Sequence, residues 1–145
     1  MAVPVRTMTA RDAAEVATLS GQLGYPSTRE EIERRFAAAS RDPDAALLVA
    51  EDDEGRVAGW AHVVGRRFLE TDAHAEIAGL VVDARRRRRG VGQALVSAAE
   101  DWARQRGYPT IRVRSNTARL EARPFYLKSG YEITKTQYVF RKSLG

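Results

Sequence analysis

The chain has 145 residues, 43% hydrophobic and 30% charged, with a formal net charge of +5, which is typical of one globular domain with a buried core. It contains no cysteine, which excludes disulfides, thiolate-bound metals and an acyl-cysteine intermediate. The basic balance permits a nucleic-acid partner but suits a polyanionic small ligand equally well, so the positions of the charges must distinguish the two.

Metal binding, secretion and membrane insertion are not expected. Only His62 and His74 could supply imidazole, too few for a dedicated zinc site. The opening residues lack a secretory signal pattern, and no apolar run reaches the ~20 residues needed to span a bilayer. We therefore expect a cytoplasmic protein with no membrane partner.

The first predicted elements are a strand at residues 3–8 and a helix. Thr9 and Asp12 have the spacing of a helix cap. The apolar residues that then recur at helical spacing are Val16, Leu19 and Leu23. Residues 24–26, Gly-Tyr-Pro, end this helix.

A second helix follows at once, and two capping boxes can open it. The candidate pairs are Ser27 with Glu30 and Thr28 with Glu31. Both pairs place a hydroxyl three residues before a carboxylate, so the sequence leaves the choice open. Ile32, Phe36 and Ala39 would share one face of this helix.

The middle of the chain predicts three strands, at residues 46–50, 57–64 and 75–82. A turn at residues 53–55 joins the first two as a hairpin. The remaining predicted elements are a helix from about Gly90 to Gly107, a strand at 111–115, a helix at 125–129 and a strand at 131–140. The order β-αα-βββ-α-β-α-β describes one mixed α/β domain over residues 1–145, with a right-handed parallel crossover after the fourth strand.

The most informative stretch is residues 79–95, where a basic turn lies between an apolar strand and an amphipathic helix. Gly90 and Gly92 let the backbone curl so that successive N–H groups face one concavity. The helix adds its N-terminal N–H groups and the positive end of its dipole, and the run Arg85 to Arg89 adds charge. Together these features predict a diphosphate-binding cradle.

Other readings of this stretch fit less well. A dinucleotide fingerprint requires a third glycine where Leu95 stands, and a P-loop requires a Gly-Lys-Ser/Thr triplet that is missing. An arginine run alone would favour a solvated turn or a nucleic-acid patch, but the strand–turn–helix context favours the cradle. The pattern Arg87-x-x-Gly90-x-Gly92 resembles the acetyl-CoA signature of the GNAT acetyltransferases.

A second motif lies downstream in the order and at the spacing of the same family. Asn116 follows the predicted fifth strand, and a helix with Phe125 and Tyr126 ends at Gly130-Tyr131. The resemblance covers essentially the whole chain and is most specific over residues 76–131. The chain is therefore similar to single-domain, acetyl-CoA-dependent GNAT N-acetyltransferases.

The resemblance implies a GNAT fold: a mixed, mostly antiparallel sheet of six to seven strands with four helices, splayed between the fourth and fifth strands. Acetyl-CoA would be the cosubstrate, with no metal. Its pantetheine arm would pair with the backbone of Leu80, Val81 and Val82, and Asn116 would contact it. The residues expected around the diphosphate are Arg87, Arg88, Arg89, Gly90, Val91, Gly92 and Gln93.

The family's catalytic positions fall on two residues here. Tyr126 would be the acid that protonates the departing thiolate, and Glu76 the base that takes the proton of the amine, directly or through water. Simple alternation puts Glu76 on the same face as Leu80, which is awkward for an exposed base, whereas a bulge near Gly79 would re-aim it. His74 is a poorer alternative base and is expected at the surface.

Two positions depart from the family pattern, and the acceptor stays open. Pro124 lies inside the expected fourth helix, and Ala84 replaces a proline common in the turn. The implied reaction is direct attack of a small-molecule amine on the thioester, through a tetrahedral intermediate. A protein lysine or N-terminus is the alternative acceptor, and a non-enzymatic nucleic-acid-binding domain a further alternative. No nucleic acid is expected; the family also makes a homodimer a candidate assembly.

Overall fold

The protein is described by a computed structural model that covers residues 2–22, 24–87 and 89–145. Its internal contacts divide the chain into a first unit, residues 1–114, and a second unit, residues 115–145. The prediction of a single domain over the whole chain stays a prediction.

The elements of the first unit are β1 (Val5–Thr7), a 3-10 turn (Ala10–Asp12), α1 (Ala13–Gln22), α2 (Arg29–Ala39), β2 (Ala45–Glu51), β3 (Val57–Phe68), β4 (Thr71–Val82), a 3-10 turn (Ala84–Arg86), α3 (Val91–Gln105) and β5 (Ile111–Val113). The second unit contains α4 (Ala122–Lys128). The predicted order is confirmed up to this helix. Leu23, predicted in phase with the first helix, lies outside the described residues.

The five strands form one sheet in the order β1-β2-β3-β4-β5. The first four pair antiparallel, and β4 pairs parallel with β5, which confirms a mixed, mostly antiparallel sheet. The prediction of six to seven strands is wrong, because residues 131–140 carry no strand. At the end of this segment Tyr138, Val139 and Phe140 are all at least 87% exposed.

Local hydrogen bonds set where the first two helices begin. Thr28 accepts from the Glu31 amide at 3.0 Å, and the Glu31 carboxylate accepts from the Thr28 amide at 2.9 Å. This reciprocal pair selects Thr28 over Ser27 as the cap of α2. Thr9 and Asp12 form the predicted capping box in the 3-10 turn that leads into α1.

Apolar side chains bury the sheet against the helices in two groups. One group joins Val16 and Leu19 of α1 to Val49, Val57 and Val81 of the sheet, with Ile32 and Phe36 of α2 packed against it. The other joins Val91 and Leu95 of α3 to Ala50, Ala58 and Ala61. The small alanines on the strands let α3 approach the sheet closely, which fixes the helix end next to the carboxyl end of β4.

Candidate active site

A β-bulge re-aims the middle of β4. The register runs from His62 opposite Gly79 to Val63 opposite Ile77, which leaves Ala78 as the extra residue. Beyond the bulge Glu76 lies opposite Val64 and faces the same side as Gly79, whereas Leu80, opposite Ala61, faces the other side. The bulge predicted near Gly79 is confirmed, and it separates Glu76 from the face of Leu80.

Glycine is required at position 79 by a close approach. A Cβ there would lie 2.8 Å from the indole ring of Trp60, closer than side-chain carbons approach one another. The indole therefore covers the strand next to the bulge. Any larger residue at this position would push Trp60 away from the core cluster that it packs against.

Glu76 is buried, with 5% of its surface exposed, and both of its oxygens meet arginines. Arg66 Nη2 lies 3.0 Å from Oε2, and Arg114 Nε lies 3.5 Å from Oε1. Arg66 lies in β3 and Arg114 directly follows β5. Arginines from both sides of β4 therefore hold the Glu76 carboxylate. A buried carboxylate needs such compensation.

The two histidines flank Glu76 on the same face of the sheet. His74 is only 2% exposed and its Nδ1 lies 3.0 Å from the Asp72 carbonyl, so the expectation that it is a surface residue is wrong. It is buried because its ring packs on Phe68 in a hairpin longer than predicted. His62 is half-buried; burial and the nearby charge of Arg66 lower the pKa of its imidazole below 6.5, although Asp42 opposes the shift.

The turn after β4 delivers the chain to α3 with the geometry of an anion cradle. Gly90 caps the helix with φ of 82°, a left-handed conformation that favours glycine, and the space beside it is open. The Ala94 amide donates to the Gly90 carbonyl at 2.9 Å, which ties the capping glycine to the helix. A helix N-terminus presents backbone N–H groups and the positive end of its dipole, which together favour an anion.

The arginines of the turn have different surroundings. Arg86 is half-buried and donates to Asp83 at 2.9 Å and to Asp52 of the β2–β3 turn. The Arg85 guanidinium approaches Asp83 no closer than 3.4 Å and is mostly exposed. Arg87 and Arg89 are exposed, and Arg88 lies outside the described residues. Arg86 thus braces the turn, and exposed arginines surround the helix end.

The pairing of β4 with β5 covers only part of β4. Residues Ala75, Glu76 and Ile77 pair with Ile111, Arg112 and Val113. Leu80, Val81 and Val82 pair with Ala61, Trp60 and Gly59 of β3 on their other side. Among the described residues, β5 does not pair with Leu80 to Val82. This part of the β4 edge is the one where the pantetheine arm is predicted to pair.

The second unit holds the remaining predicted site residues. Pro124 is the third residue of α4, within its first turn, where a missing N–H costs no helical bond. Tyr126 is half-buried beside Phe125 and Tyr131, with ring centroids 5.0 and 5.7 Å away. Burial raises the pKa of the Tyr126 phenol, partly opposed by Arg119, so the phenol keeps its proton at neutral pH. The Asn116 side-chain oxygen accepts from the Ala118 amide at 2.9 Å.

Sequence reasoning missed the tertiary partners of these residues. Nothing in the local pattern showed that Arg66 and Arg114 would hold Glu76, or that Gln22 would reach the turn after β4. Within residues 2–22, 24–87 and 89–145, no group of three or more histidines and carboxylates could hold a metal ion. In the same residues no helix is long and apolar enough to cross a membrane.

The model of the acetyltransferase (GNAT) family matches residues 13–131, from the start of α1 to the end of the α4 motif. The chain belongs to this family. The resemblance found in the turn and in the Asn116 to Tyr131 segment is thereby confirmed at the level of the family.

Known proteins similar to this family member differ in length and source. It is 30% identical to the mycothiol acetyltransferase of Clavibacter sepedonicus over 97% of its own length, but it spans only 46% of that protein. It is 29% identical to aminoglycoside N(6')-acetyltransferase type 1 of Klebsiella aerogenes, over 97% of this chain and 96% of that one. A solved structure described as a transcriptional regulator from Bacillus halodurans C-125 matches with a TM-score of 0.85 at 23% identity, covering 97% of this chain and 99% of that one. This last likeness shows a shared fold alone.

Proposed function

We propose that this GNAT-family chain is an N-acetyltransferase that moves the acetyl group of acetyl-CoA onto the primary amine of a small molecule. The observation that carries the proposal is the strand–turn–helix of β4 and α3, with Gly90 at the helix end and exposed arginines around it. Two relatives are named for acetylating mycothiol and aminoglycosides, which supports a small-molecule acceptor.

The residues of the turn fit the diphosphate of acetyl-CoA. The amides at residues 90–93 and the guanidinium groups of Arg87 and Arg89 supply donors and positive charge. The backbone of Leu80 to Val82 would hold the pantetheine arm, and Asn116 would contact it. Acetyl-CoA supplies a thioester, an acyl donor activated toward attack by an amine.

The acceptor amine must lose a proton before it can attack. A primary amine with a pKa of about 10.4 is neutral in roughly one molecule in 10³ at pH 7, a cost of about 4–5 kcal/mol. Glu76 would accept this proton through a water molecule, since Arg66 and Arg114 hold both of its oxygens in place. His62, on the same face and neutral because its pKa is lowered, is a second candidate base.

Tyr126 would return a proton to the departing thiolate. Its pKa is raised by burial, so the phenol carries a proton at the pH where the reaction runs. A thiol of coenzyme A resembles cysteine, with a pKa of about 8.5, so proton transfer to its thiolate from a phenol with a pKa above about 10 is uphill by about 2 kcal/mol or more, and it would occur as the bond to the acetyl carbon breaks.

The proposal is tested by thiol release from acetyl-CoA across amines, aminoglycosides, peptides and protein N-termini. We expect release with small amines and a loss of activity in Gly92→Trp, because the indole would fill the cradle. Gln105→Trp, at the opposite end of the same helix, is the matched control and should keep wild-type activity. Absence of acetyl-CoA binding to the wild type would remove the proposal.

The same panel distinguishes the alternatives. Turnover of peptides without turnover of free amines would replace the small-molecule acceptor by a protein lysine or N-terminus. Retention of nucleic acid on a filter at low salt, lost steeply as salt rises, would support the nucleic-acid-binding alternative instead. A homodimer stays a prediction, which sedimentation equilibrium would test.

A further inference from the structure

The turn that follows β4 is organised around a buried carboxylate. Asp83 is 2% exposed, and its own amide donates to the Ala58 carbonyl of β3 at 2.8 Å. Its side chain accepts from the Arg85 amide at 3.0 Å and so caps the 3-10 turn of Ala84–Arg86. The position of this carboxylate therefore sets the direction in which the chain leaves the sheet toward Gly90.

Gln22, the last residue of α1, contacts this turn through both atoms of its amide. Its Oε1 accepts from the Ala84 amide at 2.9 Å, and its Nε2 donates to Asp83 Oδ1 at 3.3 Å. The two contacts join residues that are 61 and 62 positions apart in the sequence. Because a carboxamide has one accepting and one donating end, rotating it by 180° would place like groups against both partners. The pair of contacts selects one orientation of Gln22.

The charges around Asp83 explain why a neutral residue belongs at position 22. Burial alone would raise the pKa of Asp83, but hydrogen bonds from the Arg85 amide and guanidinium, together with Gln22, lower it. Arg86 adds a charge-assisted bond and is itself held by Asp52. The carboxylate thus stays ionised next to Gln22, where a second carboxylate would be repelled.

We propose that Gln22 is a positioning residue for diphosphate binding: it holds Asp83 and Ala84 so that the turn presents Arg87, Arg89 and the first amides of α3 to the anion. Gln22 touches neither the anion nor the reacting atoms in this role. It connects the end of α1 to the turn by which acetyl-CoA is bound. The inference rests on the proposed acetyl-CoA site and adds to it a residue outside the family's motif.

The test compares Gln22→Met with the wild type by calorimetric titration of acetyl-CoA. Gln22 is largely exposed, so methionine keeps the fold and the side-chain length while removing both hydrogen bonds. We expect about three- to tenfold weaker binding, the size of the net contribution of a typical hydrogen bond. The KM for acetyl-CoA should rise by the same factor while kcat changes less than about twofold. Gln105→Met, the last residue of α3 and also exposed, is the matched control and should bind like the wild type.

A donor without a diphosphate separates positioning from general damage. With S-acetylpantetheine as acetyl donor, kcat/KM of Gln22→Met should equal that of the wild type. An equal loss with both donors would mean that the substitution disturbs the whole site, which would overturn the proposal. If the wild type binds acetyl-CoA and Gln22→Met binds it equally well, the proposal also fails. If the wild type does not bind acetyl-CoA, the proposed function itself fails first.

A second variant gives a pH signature that a purely structural role would lack. In Gln22→Glu, an ionised carboxylate would face Asp83, while Arg85, Arg86 and Asp52 are the other charged groups around the turn. Protonation of the introduced carboxylate would restore one donor and one acceptor. The affinity of this variant relative to the wild type should therefore rise as pH falls from about 7.5 toward 5, since repulsion by Asp83 lifts the introduced glutamic acid above its ordinary pKa of about 4.3. A ratio independent of pH would contradict the proposed pair of hydrogen bonds.

Discussion

The two units of the chain differ in how their apolar side chains are covered. In the first unit, Leu95 and Val96 of α3 are 0% exposed, and the sheet strands that face them are buried. In the second unit, Tyr138 and Phe140 are 89% and 92% exposed, although they are as apolar as many core residues. Among the described residues, strands that pair within the sheet contribute to the core, whereas Tyr138 and Phe140 lie where no strand is assigned and are exposed.

This difference separates the unit that should supply most of the stability from the unit that carries the proposed acid, Tyr126. The free energy of unfolding should depend mainly on the first unit, where helices pack on a paired sheet. The second unit carries Tyr126, whose phenol is half-buried and whose pKa is raised. Substitutions in the two units should therefore have different consequences for stability and turnover.

The largest expected effect is on the core of the first unit. Leu95→Ala removes a fully buried side chain from the cluster around α3 and leaves a cavity. We expect a loss of about 2–5 kcal/mol in the free energy of unfolding, measured by urea titration. A loss below about 1 kcal/mol would show that α3 is less tightly packed than its burial indicates.

The second unit should respond in turnover instead. Tyr126→Phe keeps the ring beside Phe125 and Tyr131 and removes only the phenolic hydroxyl. We expect kcat to fall by about 10²-fold, the lower range for loss of a general acid, with an unchanged melting temperature. Tyr138→Phe is the exposed control. Equal rates for Tyr126→Phe and the wild type would remove Tyr126 from the proposed mechanism.

Within the turn, replacing Arg86 should lower stability, whereas replacing Arg89 should weaken acetyl-CoA binding. Arg86→Ala leaves the buried Asp83 without its closest guanidinium and should cost about 1–3 kcal/mol of stability. Arg89→Ala removes an exposed charge and should leave unfolding unchanged while weakening acetyl-CoA binding. Melting curves and calorimetry on both variants measure the contrast. A reversed result would mean that the roles of the two residues are exchanged.

Acid should destabilise the first unit through two buried carboxylates. A hydrogen bond from Arg6 is the main cause that lowers the pKa of Asp12, and bonds from Arg85 and Gln22 outweigh burial to lower that of Asp83. A carboxyl with a depressed folded-state pKa stabilises the fold above its unfolded pKa of about 3.9, and this contribution is lost as pH falls through the folded value. Urea midpoints should therefore drop below about pH 4, and Asp12→Asn should make that drop shallower. If the urea midpoints of Asp12→Asn and the wild type fell in parallel as the pH is lowered, Asp12 would be excluded as a source of the acid sensitivity.

The smallest expected effect is at the exposed end of the second unit. Phe140→Ala should change the free energy of unfolding by less than about 0.5 kcal/mol, because the ring makes little buried contact. Urea titration beside Leu95→Ala measures the ratio directly. A loss of several kcal/mol would show that residues 131–140 pack as a strand in solution.

Local signals carried the successful predictions. The cap at Thr9, the glycine at position 90 and the apolar period of α3 each depend on residues a few positions apart, so the sequence alone placed them, whereas it left Ser27 and Thr28 as alternative caps of α2. Residues 131–140 have strand-like residues, but alternation defines a face and not a partner, and the strand predicted there is wrong. Conversely, the strands predicted at residues 57–64 and 75–82 are too short, because backbone pairing continues through residues 65–68 and 71–74 of the hairpin.

Contacts between distant segments were beyond sequence reasoning. The bulge at Ala78 was expected only from the awkward face of Glu76, and its arginine partners were not. Gln22 gave no local sign of its contact with Asp83, because the two lie 61 residues apart and meet only when α1 packs on the sheet. Motifs therefore supplied the candidate site residues, whereas the tertiary contacts that hold them could not be predicted from the sequence.

The central claim is that the N-terminal end of α3 holds the diphosphate of coenzyme A. Amide chemical shifts of the isotope-labelled protein, followed during titration with coenzyme A, test it most directly. The account predicts that the amides of residues 89–93 shift most, and that Gly92→Trp abolishes these shifts. Saturable binding that leaves those amides unmoved would contradict it.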